Sequence, residues 1–149
     1  MISRRVAVRG IFVHEGKMLA AKLKPYRHKN ASFWSTIGGG IDDGESLSNA
    51  ISREIVEETG IQPRVGRLLY IQQFFDKNKN VEQMEFFFLI DNPEDYLSID
   101  LSKTSHGAVE IESIDFIDPS DPQYGLLPDF LRSVDPDNLP QQTEIFSYI

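Results

Sequence analysis

Cysteine is absent from the 149 residues, which excludes disulfides, thiolate zinc sites and thiol nucleophiles. No uninterrupted apolar stretch is long enough to span a bilayer, and the opening Met-Ile-Ser-Arg-Arg-Val-Ala-Val-Arg places arginines where a signal peptide has its apolar run. Basic residues are scarce: 15 Lys plus Arg stand against 23 Asp plus Glu, a net charge of -8. A protein that coats nucleic acid non-specifically needs a basic face to displace phosphate counterions, so that class is disfavoured. The expectation is one cytoplasmic domain spanning residues 1–149, monomeric or homodimeric, with no membrane or long nucleic acid as partner and enough chain to bury a core.

The charge that is present is unevenly spread. Residues 1–30 hold eight basic side chains against Glu15 alone (+7), residues 31–90 hold five against nine acids (-4), and the remainder holds Lys103 and Arg132 against thirteen (-11). Apolar runs at 6–13 and 17–23, separated by His14-Glu15-Gly16, predict a hairpin. A polar loop over 24–32 leads to a brief strand at 33–37 and then to Gly38-Gly39-Gly40, which reads as a bend. From Ser46 the period turns helical, with Leu47, Ala50, Ile51 and Ile55 on one face and Gly60 as terminator. Strands are predicted at 68–75, 84–90 and 108–117; Phe86-Phe87-Phe88 is too apolar to be one-sided and predicts a central position in a sheet. A helix is predicted over 125–134, and the proline-containing acidic tail beyond about 135 is expected to be poorly ordered.

The predicted helix carries an unfavourable arrangement. Glu54, Glu57 and Glu58 stand at i, i+3 and i+4, so Glu54 neighbours both others, and each like-charge pair costs roughly 0.2 to 0.5 kcal/mol. Glu57 and Glu58 also fall in the last turn, where the helix dipole disfavours negative charge. Two readings resolve the conflict. One is a solvated acidic face relieved by Arg53; the other is a divalent cation, since hard ions such as Mg²⁺ take carboxylate oxygens and retain room for substrate phosphates. The glycine run upstream, which lets backbone approach a ligand closely, and the link through Asp42, Asp43 and Glu45 favour the second.

These residues resemble the Nudix hydrolase family, whose signature is Gly, five residues, Glu, seven residues, Arg-Glu, an aliphatic residue, any residue, Glu-Glu, any residue, Gly, aliphatic. Gly39, Glu45, Arg53, Glu54, Ile55, Glu57, Glu58, Gly60 and Ile61 fill every defined position over 23 residues. One departure lies outside the pattern: Ile37 stands where many members have proline. The resemblance implies an α/β/α sandwich with a mixed β-sheet and a loop-helix-loop motif. It also implies hydrolysis, with Mg²⁺ or Mn²⁺, of a diphosphate bond in a nucleoside diphosphate linked to another group. Carried over by position, Glu54, Glu57 and Glu58 become metal ligands with the Gly39 carbonyl, Arg53 orients the glutamates, and Glu45 joins the same network. Glu54 or Glu57 is the first choice of general base, ahead of Glu110 and Glu112 and then Glu82 and Glu85; His106 reads as a loop histidine.

For the substrate, Lys22, Lys24, Arg27 and Lys29 are positioned to attract a polyanion, Lys22 most directly. Phe33, Trp34, Tyr70, Phe74 and Phe75 are candidates for stacking on a base, although most large aromatics serve the core. Within the family, the proline and tyrosine marks of ADP-ribose and diadenosine polyphosphate hydrolases are missing, and the isomerase relatives require a cysteine. A small nucleotide such as a nucleoside triphosphate is favoured by elimination. The alternatives are an ADP-ribose or nucleotide-sugar pyrophosphatase, and a nucleotide-sensing module without activity.

Overall fold

The computed structural model describes residues 1–25 and 32–149. In chain order the elements are β1 (Ser3–Ile11), β2 (Val13–His14), β3 (Lys17–Leu23), β4 (Trp34–Ser35), β5 (Ile37–Gly40), α1 (Leu47–Thr59), β6 (Val65–Asp76), β7 (Val81–Ile90), α2 (Gly107–Glu110), β8 (Ile111–Ile117) and β9 (Glu144–Ser147). Short 3-10 turns occupy Pro93–Tyr96, Leu101–Lys103 and Asp129–Ser133. One sheet runs β5-β1-β7-β6-β9 and is mixed: β1 lies parallel to β7 and β6 to β9, while β1 with β5 and β6 with β7 are antiparallel. A second sheet forms around β3, which pairs with β2, β4 and β8. Among the described residues no helix is long and apolar enough to cross a membrane.

Strand alternation explains how these elements bury two cores. Successive side chains of a strand leave opposite faces, so Leu19 and Ala21 of β3 join Val8, Phe12, Ile51 and Ile55 beneath α1, while Met18 and Ala20 join Ile11, Leu69, Phe87 and Leu126 on the other side. Helix α1 starts at Ser46, whose side chain accepts the Asn49 N–H, and stops at Gly60 with a left-handed φ of 76°. Its residues Ala50, Ile51 and Ile55 are fully buried, and each isoleucine contributes roughly 1.5 to 3 kcal/mol by leaving water. That packing lays the helix against β5, the edge strand that carries the glycines.

The central position predicted from Phe86-Phe87-Phe88 holds, since β7 lies between β1 and β6, with Phe87 in one core and Phe86 and Phe88 against the other. Four local expectations are corrected. The glycine run is no bend: Gly38, Gly39 and Gly40 pair as extended strand with Arg9, Val8 and Ala7. Ser35 and Ile37 belong to separate strands rather than one, divided at Thr36. Residues 108–110 form part of a helical turn, and the strand starts only at Ile111. The predicted helix over 125–134 is reduced to the 3-10 turn Asp129–Ser133, because Pro128 is extended (ψ 156°) and Leu127 bridges to Ser35. A proline lacks the N–H a helix needs and disfavours helical geometry in the residue before it.

The tail is also ordered, contrary to expectation. Strand β9 completes the sheet edge, and Phe146 stacks on Phe130 with ring centroids 4.4 Å apart and planes 19° apart. Phe130 in turn meets Tyr70 and Phe87 edge-on. Replacing half-buried Phe146 with alanine is expected to lower stability by about 2 kcal/mol, below the 3 to 5 typical of fully buried phenylalanine. A urea-denaturation midpoint unchanged in Phe146→Ala would show that the tail contributes nothing to the fold.

Candidate active site

The acidic face of α1 meets β5 where the strand has no side chains. A Cβ on Gly39 would lie 2.6 to 2.7 Å from the Glu54 carboxylate, and one on Gly38 would lie 1.9 Å from the Val8 carbonyl oxygen. Glycine at these two positions therefore lets β5 pair with β1 and lets Glu54 rest directly on the strand.

Arg53 organises the acids. Its Nε and Nη2 donate to Glu45 Oε2 and Oε1 at 2.8 and 2.9 Å, a bidentate pair, and Nη2 also donates to the Gly40 carbonyl at 3.1 Å. Nη1 donates to Glu54 Oε1 at 3.0 Å and, at 3.3 Å, to both oxygens of Glu57. One guanidinium thus relieves the repulsion between Glu54 and Glu57 that the helix imposes. The hydrogen bonds from Arg53 and from the Asp42 N–H hold the Glu45 carboxyl down at about 2, and the same acids push the arginine further up.

Glu58 is the exception. It turns into the protein, only 9% exposed, and accepts the Gly38 N–H at 3.2 Å. Burial pushes its carboxyl up to about 8, against the favourable field of Arg9. Burial also raises Glu54, with Arg53 opposing. Across the helix end, His106 Nδ1 lies 2.9 Å from Glu57 Oε2 and the His106 N–H donates to the Glu57 carbonyl at 2.9 Å, so the loop before α2 holds this residue by backbone and side chain.

Among the described residues no three carboxylate or imidazole groups converge on one point as an assembled cation cage. The donor set nevertheless fits a hard cation: three carboxylates on consecutive turns beside a strand whose missing Cβ leaves the Glu54 carboxylate against the backbone. Arg53 and the Gly38 N–H hold those carboxylates in this structure, and both contacts are reversible hydrogen bonds.

The remaining sequence candidates divide. Lys22 pairs with Glu112 at 3.3 Å, and Lys24 donates to the Ala108 carbonyl at 2.6 Å and through its backbone to Glu110. Arg27 and Lys29 lie outside the described residues. Glu110 contributes to the field that raises Glu58. Glu82 is engaged by Arg4 and Gln73, and Glu85 by Arg9 and Gln72. Tyr70 is core, and Trp34 meets Tyr124 edge-on.

Phe74 lines a cavity of about 690 Å³ on the sheet face away from α1, together with Arg5, Arg9, Thr36, Gln72 and Phe130 among others. Arg9 links this cavity to the acids, because its Nη1 donates to the Thr36 and Gly38 carbonyls at 3.2 and 3.4 Å. Arg5, Arg9, Thr36 and Phe130 were not singled out as site residues from the sequence. The only available signal was Arg5 and Arg9, which share one face of β1 with the apolar Ala7 between them and so place charge on an inward face.

A NUDIX domain model matches residues 3–137. The chain is 34% identical over 86 residues to an ADP-ribose pyrophosphatase from Methanocaldococcus jannaschii, covering 58% of this chain and 50% of that protein. It is 35% identical over 66 residues to a CTP pyrophosphohydrolase from Escherichia coli, covering 44% and 48%. The chain thus spans about half the length of these curated relatives. A solved MutT protein from Bacillus halodurans superposes with a TM-score of 0.67 over 97% of this chain and 90% of that one, at 19% identity, a likeness of fold.

The titration of Glu58 gives the metal-free protein a characteristic pH dependence. With its folded pKa about 8 against an ordinary 4.5, the folded state binds the extra proton between those values, so stability falls as pH rises through that window and levels off above it. Glu54, raised in the same direction, adds to the slope. Thermal melts in chelator across this range should show the decline, and Glu58→Gln should flatten most of it; a slope unchanged in that variant would remove Glu58 as its cause.

Proposed function

From the premise that this chain belongs to the Nudix family, we propose that it hydrolyses the diphosphate bond of a small nucleoside diphosphate derivative, with a nucleoside triphosphate as the favoured substrate. The observation that carries this reading is the Arg53 clasp: every charged residue of the family motif except Glu58 meets on one guanidinium beside the glycine strand. A divalent ion, Mg²⁺ or Mn²⁺, would be held by Glu54, Glu57, Glu58 and the Gly39 carbonyl, and would supply neutralisation of the diphosphate charge and a more acidic attacking water.

The chain's own residues do the rest. Arg53, anchored on Glu45 and the Gly40 carbonyl, fixes the rotamers of Glu54 and Glu57 before substrate arrives, so that little reorganisation accompanies reaction. Glu54 is the general base. Arg53 holds only Oε1, leaving Oε2 to take the proton of the water. The water oxygen forms a bond to phosphorus as the bridging P–O bond breaks, and the leaving phosphate departs with the bonding pair. Glu57, pinned by Arg53 and His106, is a ligand rather than a base.

The cavity of about 690 Å³ across β5 is within the usual range for small-molecule sites, and the triphosphate preference is supported by similarity to a relative named for CTP. ADP-ribose, named by the archaeal relative, is the second substrate to test. Purified protein with Mg²⁺ and a panel of nucleoside triphosphates, ADP-ribose and nucleotide sugars should yield a monophosphate from at least one. Glu57→Gln should reduce that turnover by about 100-fold or more with the circular dichroism unchanged. Tight nucleotide binding without turnover across the panel would instead identify a sensing module.

A further inference from the structure

The cavity beyond β5 has a floor that packing does not explain. Gln72, Gln83 and Glu85 project from one face of β6 and β7 and are only 5%, 6% and 7% exposed. Polar side chains are rarely buried to this degree without a reason, and each needs partners. Thr36, 2% exposed on the cavity wall, has a hydroxyl Oγ1 with no hydrogen-bond partner among the described residues. A buried hydroxyl left unpaired costs free energy that a ligand would recover.

Charged neighbours determine which way the two amides face. Glu85 accepts from Arg9 Nε and from Gln72 Nε2, both at 3.0 Å. A carboxylate paired with arginine can only accept, so Gln72 must turn its NH₂ toward Glu85. Its carbonyl Oε1, with no hydrogen bond among the described residues, is left as an acceptor on the cavity side. For Gln83 the logic reverses. Arg5 Nη1 donates to Gln83 Oε1 at 3.4 Å; a guanidinium can only donate, which leaves Nε2 of Gln83 as a donor. In the sheet Gln72 stands opposite Glu85 and Phe74 opposite Gln83, so the two amides belong to diagonal neighbours on one face, residues roughly 7 to 8 Å apart.

We propose that this cavity receives the base of the nucleotide and selects one that carries an exocyclic amine at one end of its pairing edge and a carbonyl at the other, which is cytosine or guanine. Gln72 Oε1 accepts from the amine, Gln83 Nε2 donates to the carbonyl, and Phe74 offers a ring face to the heterocycle. Uracil has a carbonyl at both ends and sets one against the Gln72 oxygen; adenine has no carbonyl for Gln83. Glu85 is a positioning residue, acting through the orientation it imposes on Gln72. Arg9, bonded at once to Glu85 and to the Thr36 and Gly38 carbonyls, ties the floor of this pocket to the glycine strand beside the acids. The assignment rests on the nucleotide-hydrolase reading for its class of ligand.

Nucleoside monophosphates, which have no diphosphate bond, separate recognition from turnover. Calorimetric titration of the full chain with CMP, GMP, UMP and AMP in the presence of Mg²⁺ should show CMP or GMP binding at least about tenfold tighter than UMP and AMP, the cost of one mispaired hydrogen bond. Glu85→Gln, nearly isosteric, frees Gln72 to present either end of its amide and should shrink the preference to within about threefold while the protein still binds nucleotide. Gln83→Met should weaken CMP, GMP and UMP, each of which sets a carbonyl against the Gln83 amide, and leave AMP at its former level. Equal binding of all four bases, absence of binding to any, or a preference intact in folded Glu85→Gln would overturn the assignment. A base preference in a protein that cleaves nothing on the substrate panel would overturn the hydrolase reading and leave this pocket standing.

Discussion

The guanidinium of Arg53 is the constraint on which the candidate site depends. Among the described residues it alone touches Glu45 in the loop before α1, Glu54 and Glu57 on the helix, and the backbone of Gly40 on β5. Without it, two carboxylates one turn apart toward the negative end of a helix would repel each other, with His106 against Glu57 as the one side-chain partner left to them among the described residues. With it, their repulsion becomes a fixed geometry. Arginine suits this task where lysine would not, because a planar fork can serve several acceptors at once while retaining its charge.

That clasp works only because the strand beside it is bare. Glycine is usually read as a source of flexibility, yet here Gly38 and Gly39 lie in a paired strand, and their contribution is absence of volume. The carboxylate of Glu54 occupies the space a side chain at Gly39 would need. The same thinness lets Arg9, on the neighbouring strand, reach the Thr36 and Gly38 carbonyls and join the acidic site to the cavity on the far face of the sheet. The edge strand is therefore a partition with polar backbone on show to both compartments.

Much of this was legible in the chain. The helical period of Leu47, Ala50, Ile51 and Ile55 from Ser46 onward and the stop at Gly60 are local signals, and local signals survive folding when burial reinforces them. The run Phe86-Phe87-Phe88 told that β7 is covered on both faces. Errors arose where a long-range partner decided the outcome. Gly38 to Gly40 extend because β1 pairs with them. Residues 126–128 leave the helical pattern because Leu127 bridges to Ser35, far away along the chain. The tail is ordered because Phe146 finds Phe130. None of these partners lies within a window that periodicity can examine.

The sequence by itself determined the family: carboxylates at i, i+3 and i+4, an arginine one residue ahead of them and glycines upstream fill one motif within a single contiguous stretch, so no tertiary contact is needed to read it. Only the tertiary structure decided how those groups differ from one another. Glu58 turned inward to the Gly38 N–H, Glu54 and Glu57 shared one guanidinium, and Arg5, Arg9, Gln72, Gln83 and Glu85 came together from three strands to floor a cavity. Burial and hydrogen-bond partnership set the proton affinity and orientation of a polar group, and both depend on residues that are distant in the chain and adjacent only after it has folded.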